Sequence, residues 1–583
     1  MSKNKRAIII IGLAVLLLMS PLIFNQQALL GVDGYFQYSR IYEAAMQLKN
    51  HNISFINIYS FQQAGRIVNS LYSPLITYLA GAVLLLVGTW YRFQLVSVFL
   101  VYFISGYVTY HAARRFQLSQ RLSLALGLIF LSSNAVYGFI FGVTWRSIAF
   151  GLLPIFIGPM LDLYKGDWRL PAMLKLGIYI GILAQFQVLT VALLLPFLLP
   201  FFVRGLWHSS LKLKALLNLV AAVLLVLLLS LNALLPLLEV YRGNTLIPPV
   251  AMDMMSNTSL ILQPIYNGVD SNSDIVITVI VYAMVMGLIM FWSRLHGFTK
   301  LLAVVALCYT IAGTSLIPWD LIQKNMPYLQ SFLQMPRRIS LVGTPFLIVA
   351  AALIYHDAAR STESVKFQKG LVFASLFLGL LSLLLCTQKV VKNVHRTLQP
   401  TTSLASGLQT ADNNVHSKLT HFMQLQPAFH THDLSKLIRE ADRTTPDYIP
   451  ITHKVETHAN VYGAYLKKFS AQKHKFSYRV MRAGVQLTWT AKRAKTRSVP
   501  VVAYRRSTLT LNGKPLTHQQ MTHNWVGDIS IKQHRGRNVL TVRYTPSRIT
   551  TLGTNVTLGV WLVVILVLIQ QGFNRLRHRR LVG

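Results

Sequence analysis

The sequence predicts an α-helical polytopic membrane protein of about twelve transmembrane helices, with an extracytoplasmic C-terminal domain of the α+β or β-sandwich-like class. Three observations predict this. Of 583 residues, 53% are hydrophobic and only 13% are charged. Apolar runs of about 18 residues or more recur along the chain, which is the length that crosses roughly 30 Å of hydrocarbon. From about residue 475, apolar and polar residues alternate with the period of a β-strand.

The large positive charge is explained mainly by topology. The formal net charge is +38, but much of the Lys and Arg lies in short loops between apolar runs, where it sets orientation in a membrane. We therefore expect no nucleic-acid partner. The two cysteines, Cys308 and Cys386, lie in apolar runs, so the sequence supports neither a disulfide framework nor a cysteine metal site.

The N-terminal stretch predicts the orientation. MSKNKR precedes an apolar run without a small-x-small cleavage site, which indicates a retained anchor with its N-terminus in the cytoplasm. The basic loops then lie on the cytoplasmic side only if the run 73–88 does not cross, so we expect it to dip in or lie along the outer surface. The C-terminus is then also cytoplasmic. The predicted spans lie near 7–25, 93–111, 122–142, 147–164, 173–187, 188–203, 215–238, 275–293, 299–317, 340–356, 370–387 and 555–573.

The chain is thereby divided into three parts. Residues 1–387 form a transmembrane domain with an outward loop at 26–92, and residues 555–583 form a last helix with a basic tail. Residues 388–554 form the outer domain, with short helices near 410–445 and then strands joined by turns such as LNGKP. Its basic excess suits an anionic cell-envelope polymer or lipid headgroups as partner. A merely solvated basic surface is the alternative.

Few acidic residues can carry chemistry on the outer side. No HExxH, GxSxG or Walker pattern lies in the outward segments. The acids predicted to lie there in the membrane domain are Asp33, Glu43, Glu239, Asp253, Asp270, Asp274 and Asp320.

Asp33 is the sharpest candidate among them. In DGYFQYSRIYEAAMQLKN, apolar and aromatic residues recur at helical spacing, which predicts an amphipathic helix that begins at Asp33–Gly34 and lies on the membrane surface. Exposed amides at a helix start keep a carboxylate ionised, which suits a base or a metal ligand. The alternative is a simple N-cap.

Several short motifs carry a resemblance to a known family. They are Asp33, Gly34, Gln37 and Arg40; Tyr72, Ser73, Pro74 and Leu75; Trp145 and Arg146; LQMPRRIS at 333–340; and DYIP at 447–450. In their order and loop positions the chain resembles the GT-C superfamily of membrane glycosyltransferases. More closely, it resembles the bacterial membrane proteins described as 6-pyruvoyl-tetrahydropterin-synthase-related, neighbours of the YfhO-like family.

The resemblance implies a GT-C-like fold and transfer of a sugar from a polyprenyl-phosphate carrier to an acceptor outside the bacterial plasma membrane. Asp33 would deprotonate the acceptor or bind a divalent cation. Arg146, Arg337 and Arg338 would neutralise the leaving phosphate, with Arg40 and Arg66 as weaker candidates. A second carboxylate would come from Asp253, Asp270 or Asp274. As alternatives, Arg337 and Arg338 snorkel at a span end, and Arg146 anchors an interface with Trp145.

Two other functions stay open. A transporter or flippase of lipid-linked saccharide would share the spans and outward arginines, but it should show internal repeats or midplane charge. The sequence shows no clear repeat and nearly uncharged apolar runs, which favours the enzyme. A non-catalytic cell-envelope assembly protein is the other alternative.

Overall fold

The protein is described from a computed structural model, which covers residues 3–262, 274–452 and 460–582. Helices dominate this part of the chain. The α-helices are α1 (Lys3–Asn25), α2 (Gly34–Lys49), α3 (Pro74–Val87), α4 (Trp90–Arg114), α5 (Gln120–Ser132), α6 (Asn134–Ile140), α7 (Ile148–Leu152), α8 (Ile157–Tyr164), α9 (Leu170–Phe186), α10 (Val188–Trp207), α11 (Lys212–Gly243), α12 (Ile275–Phe291), α13 (Gly297–Ala312), α14 (Trp319–Asn325), α15 (Leu329–Phe332), α16 (Arg337–Ser361), α17 (Val365–Leu398), α18 (Leu404–Gly407), α19 (Gln426–His430), α20 (Ser435–Glu440), α21 (Val461–Lys468) and α22 (Arg548–Val582).

Ten helices within the described residues are long and apolar enough to cross a membrane, which identifies a multi-pass membrane protein. They are Asn4–Phe24, Trp90–Arg114, Gln120–Ile140, Trp145–Tyr164, Val188–Trp207, Lys212–Gly243, Ile275–Arg294, Arg337–Ser361, Val365–Leu398 and Arg548–Asn574. Helices α9 and α13 are apolar but shorter, with 17 and 16 residues. Ten of the twelve predicted spans coincide with helices long enough to cross, and the other two, near 173–187 and 299–317, coincide with the shorter α9 and α13. Two of the helices exceed the predicted bounds most, because α17 continues to Leu398 and α22 begins at Arg548.

The run 73–88 forms a helix too short to span. Helix α3 has 14 residues, and a rise of about 1.5 Å per residue leaves it well short of the hydrocarbon thickness. It packs tightly on α2, since a Cβ at Gly81 would lie 2.7 Å from the backbone nitrogen of Ala45. Only glycine permits this approach.

The predicted break within 173–203 is present at Gln187. This residue is extended, with φ −161° and ψ 107°, and it separates α9 from α10. Because α9 stops there, the carbonyl groups of its last turn are available to side chains from other segments.

Helix α2 begins at Gly34 as predicted, but the expectation of an amphipathic helix with one face in water is wrong. Nearly all of its residues are buried, including the polar Gln37, Arg40, Glu43 and Gln47. Arg40, Glu43 and Gln47 bond the loop between α2 and α3, and Gln37 accepts a hydrogen bond from Arg40 at 2.8 Å. The Glu43 carboxylate accepts the backbone amides of Ile58, Tyr59 and Ser60 at 2.7–2.8 Å.

The helical part of the outer segment packs on the membrane helices. Leu404, Phe422, Phe429 and Leu437 belong to the same apolar core as the transmembrane bundle. The Trp90 indole of α4 donates to the Leu434 carbonyl at 3.0 Å. Residues 399–441 therefore extend the membrane domain and do not belong to the sheet core.

The C-terminal β domain is formed by two antiparallel sheets, as the alternation predicts. A five-stranded sheet has the order β1-β2-β8-β4-β5, and a three-stranded sheet has the order β3-β7-β6. The predicted LNGKP turn joins β4 to β5 with Asn512 and Gly513 at positive φ. The short strand β6 was not predicted. The strands are β1 (Ser477–Met481), β2 (Gly484–Ala491), β3 (Thr496–Val502), β4 (Ser507–Leu511), β5 (Lys514–Pro515), β6 (Met521–His523), β7 (Asp528–Lys532) and β8 (Gly536–Tyr544).

The β domain contacts the membrane domain through the α2–α3 loop and through the end of α11. Ile56, Ile58 and Ile67 of the α2–α3 loop join the core of the sheets. At the end of α11, the Glu239 carboxylate accepts the Tyr544 hydroxyl at 2.7 Å and the Ser547 amide at 3.0 Å. The loops on this side and the β domain thus gather at one end of the bundle.

Candidate functional site

Charged and aromatic side chains from five separate segments converge at this end. The segments are the start of α2, the turn before α3, the 3₁₀ turn at Thr144–Ser147, the start of α16 and residues 443–448. Seven of these side chains form the Asp33 cluster: Asp33, Tyr72, Arg146, Arg338, Arg443, Asp447 and Tyr448. Arg338 interacts electrostatically with Asp33 and Arg146, and Asp447 interacts with Asp33 and Arg443.

Asp33 is an exposed carboxylate at the N-terminus of α2. It occupies the N-cap position, but its side chain makes no capping hydrogen bond, so capping alone does not explain this residue. The preceding backbone is fixed on both sides. Gly31 donates to the Phe141 carbonyl at 2.9 Å, and the Arg443 guanidinium donates to the Val32 carbonyl.

Asp447 is a second carboxyl group beside Asp33. Burial raises its pKa to about 6; Arg66 and Arg443 oppose the shift, whereas the Asp33 carboxylate adds to it. Sequence reasoning did not select Asp447, although the DYIP motif contains it. That motif was the one available signal.

Tyr72 lies at the centre of the cluster. Its hydroxyl donates to the Tyr448 hydroxyl at 2.8 Å. The guanidinium carbons of Arg40 and Arg146 lie 4.8 and 5.1 Å from the centre of the Tyr72 ring, within the range of cation–π attraction. Tyr448 itself has a positive φ of 64°, a conformation that costs energy for a residue with a side chain. The backbone N–H of Tyr448 donates a hydrogen bond to the Ile247 carbonyl at 3.0 Å, which helps to hold this conformation.

Arg40 and Arg66 are buried beneath the cluster, and their guanidinium groups are engaged by the protein. Arg40 donates to the Tyr72 carbonyl at 2.6 Å and to the Thr77 hydroxyl at 2.7 Å. Arg66 donates to the Asp447 carbonyl at 2.6 Å. Arg40 therefore supports Tyr72, and Arg66 supports the backbone of Asp447. A role of Arg40 and Arg66 in substrate binding stays a prediction.

Arg146, Arg337 and Arg338 are half-buried at the same end. The Arg146 Nε donates to the Phe186 carbonyl at 3.2 Å, at the break between α9 and α10. Arg338 donates to the Leu333 carbonyl at 2.8 Å and to the Gln334 amide oxygen at 3.2 Å. An Arg337 nitrogen lies 3.2 Å from the Met335 sulfur. The structure thus brings Asp33, Arg146 and Arg338 together, as the sequence predicts.

The other predicted acids serve mainly as local hydrogen-bond acceptors. Asp274 caps α12 and accepts the Asn134 amide at 2.7 Å. Asp253 accepts the Ser256 amide at 2.7 Å, and Asp320 accepts the Gln323 amide group at 3.1 Å. Asp270 lies outside the described residues. Among the acids of the described segments, Asp447 is the carboxyl group that interacts with Asp33.

The donor set of the cluster does not fit a resident divalent cation. Asp33 and Asp447 supply oxygen ligands of the kind that Mg²⁺ and Ca²⁺ take, but Arg338 and Arg443 lie beside them and repel a cation. Across residues 3–262, 274–452 and 460–582, no group of three or more His, Cys, Asp or Glu side chains is placed to hold a metal ion.

Comparison with known proteins gives structural likeness only. A scan against protein-family models finds no match, and a search of curated proteins finds no relative. Among solved structures, the arabinofuranosyltransferase AftD from mycobacteria is 13% identical, with a TM-score of 0.40 over 67% of this chain and 26% of that chain. The arabinosyltransferase EmbB from Mycobacterium smegmatis is 11% identical, with a TM-score of 0.38 over 94% of this chain and 63% of that chain. The chain thus covers less than two thirds of either structure.

Proposed function

We propose that this protein is a GT-C-type glycosyltransferase that transfers a sugar from a polyprenyl-phosphate carrier to a hydroxyl group of a cell-envelope acceptor. The observation that carries the proposal is the exposed Asp33 carboxylate, which makes no capping bond and lies within electrostatic range of Arg338 at one end of an apolar bundle. A carrier whose isoprenoid lies in the bilayer presents its phosphate at such an end.

The chemistry divides between the acid and the arginines. Asp33 takes the proton of the acceptor hydroxyl, whose oxygen attacks the anomeric carbon of the donor sugar. The bond between that carbon and the phosphate oxygen breaks, and polyprenyl phosphate leaves with the electron pair. Arg146 and Arg338 stabilise its growing charge. Asp447 accepts a hydrogen bond from another acceptor hydroxyl and so orients the sugar.

The proposed orientation places the Asp33 cluster outside the bacterial plasma membrane and both termini in the cytoplasm. The basic turns at Arg114–Arg115 and after α16 support it through the positive-inside rule. Single cysteines at positions 114 and 328, in a variant without Cys308 and Cys386, test this in intact cells. A membrane-impermeant maleimide should label 328 and not 114, and the reverse pattern would contradict the orientation.

The proposed acceptor is an anionic envelope polymer, because the β domain is strongly basic. Asp528 is the one acidic residue between 460 and 554, and it is buried and paired with Lys468 at 3.5 Å. Arg479, Arg537 and Arg543 are exposed on the five-stranded sheet. The attraction between this basic domain and an anionic polymer should therefore weaken as the salt concentration rises.

The test of the enzymatic proposal is reconstitution in lipid vesicles with a panel of radiolabelled polyprenyl-phosphate sugars and a wall-polymer acceptor. The proposal expects labelled polymer and free polyprenyl phosphate in equal amounts. Movement of the intact lipid-linked sugar across the vesicle membrane, without transfer, would instead identify a flippase.

A further inference from the structure

A polar cavity of about 270 Å³ lies beside the Asp33 cluster. It is lined by residues of α2, of the loop at 59–63 and of α20, and by Asp442 and Lys473. The volume is near the lower end of pockets that hold small ligands, of about 300 Å³ and above. The chemistry assigned above to Asp33 does not use this cavity.

Aromatic rings form much of its wall. Tyr35 and Tyr42 are seven residues apart on α2 and thus share one helix face. Tyr59 comes from the loop and is half-buried. The Tyr35 hydroxyl donates to the Ile438 carbonyl at 2.8 Å, so this ring offers a ligand apolar area, which matches the C–H face of a sugar ring.

The charges of the wall are balanced within the protein. Arg439 forms an ion pair with Asp433 at 2.9 Å. Lys473 interacts electrostatically with Asp442, and the Asp442 carboxylate accepts the Gln62 amide group at 2.5 Å. Because each cation already has a carboxylate partner, the wall favours a neutral ligand over a phosphate or a carboxylate.

The loop that reaches the cavity has an unusual backbone. Phe61, Gln62 and Gln63 have positive φ angles of 49°, 58° and 56° in succession. Each such non-glycine residue has an unfavourable backbone conformation, and residues of this kind cluster at ligand sites. The Tyr465 hydroxyl holds Gln62 through a 2.6 Å bond to its side-chain oxygen. The strained conformation brings Gln62 and Gln63 to the cavity wall.

We propose that this cavity binds one uncharged sugar ring, as in a neutral unit of a polymer whose anionic groups contact the basic β domain, through Tyr59, Gln63 and the tyrosines of α2. Its use as the acceptor subsite rests on the proposed function. The segment 442–447 connects the cavity with Asp33. Asp442 lines the cavity, Arg443 donates a hydrogen bond to the carbonyl of Val32, the residue before Asp33, and Asp447 interacts with Asp33. An acceptor chain that places one ring in the cavity therefore extends toward Asp33.

Saturation-transfer NMR on the full chain in lipid nanodiscs tests the binding. The probes are the methyl pyranosides of glucose, galactose and mannose, with inorganic phosphate as the charged comparison. We expect at least one glycoside to bind with a Kd on the order of 1 mM, equivalent to about 4 kcal/mol, and phosphate not to displace it. The absence of binding by all three glycosides, or their displacement by phosphate, would overturn the proposal.

Matched variants localise the site. Gln63→Ala and Tyr59→Ala should each raise the Kd of the bound glycoside about fivefold or more, about 1 kcal/mol, whereas Tyr328→Ala, at an exposed tyrosine of the same end, should leave it unchanged. Tyr59→Phe keeps the ring and should raise the Kd only about twofold. An unchanged Kd in both Gln63→Ala and Tyr59→Ala, with wild-type melting curves, would refute this location.

The binding and transfer proposals fail separately. Asp33→Asn should bind the glycoside like the wild type, because Asp33 does not line the cavity. Glycoside binding without any sugar transfer by the wild type would keep the cavity as a saccharide site and reject the proposed function. Transfer without glycoside binding would reject the cavity and keep the enzyme.

Discussion

The carboxylate of Asp33 interacts electrostatically with the carboxyl group of Asp447, which raises the pKa of Asp447 further after burial has raised it. Asp33 belongs to the first loop of the membrane domain, and Asp447 belongs to the segment that leads into the β domain. Two acidic groups from distant parts of the chain thus share one site. A carboxyl group with a shifted pKa, such as Asp447, beside a second charged partner is typical of catalytic sites.

Asp447 should make stability depend on pH. Because its pKa is about 6 in the folded protein and near 3.8 otherwise, the folded state holds the proton more tightly, and stability falls as the pH rises between about 4 and 6. Asp447→Asn removes this loss. Above pH 6 its melting temperature should exceed that of the wild type by about 2 °C, and the difference should vanish near pH 4. If Asp447→Asn and the wild type had the same melting temperature at pH 7 as well as at pH 4, the raised pKa of Asp447 would be contradicted.

Tyr72 and Tyr448 should be energetically coupled. Their hydroxyl groups are 2.8 Å apart, and one neutral hydrogen bond contributes about 0.5–1.5 kcal/mol. A double-mutant cycle of Tyr72→Phe and Tyr448→Phe, measured as the free energy of unfolding in detergent, should give a coupling energy in this range. Additive effects of the two substitutions would show that the hydroxyl groups do not interact.

Arg146 and Arg338 should matter for transfer more than for donor binding. Their charge stabilises the departing phosphate, and loss of one such group typically lowers kcat by about 10²–10³. Arg146→Ala and Arg338→Ala should therefore lower kcat by about that factor, and Arg146→Lys should recover part of the loss. Arg242→Ala, at an exposed arginine at the end of α11, is the control. A change in KM alone would indicate a role in binding only.

Glu43 should be essential for the loop that reaches the cavity. Its carboxylate accepts the Tyr59 and Ser60 amides through one oxygen and the Ile58 amide through the other. Glu43→Gln replaces an acceptor with a donor, so that at least one buried amide is left without a partner, at a cost of about 1–3 kcal/mol. The melting temperature should fall, while that of Glu363→Gln, an exposed control, should not. Equal melting temperatures of Glu43→Gln and the wild type would contradict this role.

The parts that the sequence predicts well depend on local pattern. Apolar runs define the ten helices long enough to span and the shorter α9 and α13, and the alternation after 475 defines most strands, because both periods follow from backbone geometry. The start of α2 at Gly34 is likewise local. Strand β6 has only three residues, which is too few for alternation to stand out.

The parts that the sequence misses depend on contacts between distant segments. Helix α2 has a polar stripe that suggests a helix on a membrane surface, but Arg40, Glu43 and Gln47 form hydrogen bonds with the loop that follows. Asp447 becomes a neighbour of Asp33 only when the outer segment folds back onto α2. Neither contact has a sequence periodicity, so neither is visible without the structure.

The proton-accepting role of Asp33 is the central claim, and transfer by Asp33→Asn tests it most directly. The side-chain amide keeps the shape of the carboxylate but cannot take the acceptor proton, and loss of a general base costs about 10²–10⁴ in rate. Polyprenyl-phosphate release by vesicles with Asp33→Asn should fall by that factor, whereas Asp253→Asn, an exposed carboxylate of the same end, should match the wild type. Equal release by Asp33→Asn and the wild type would contradict the account.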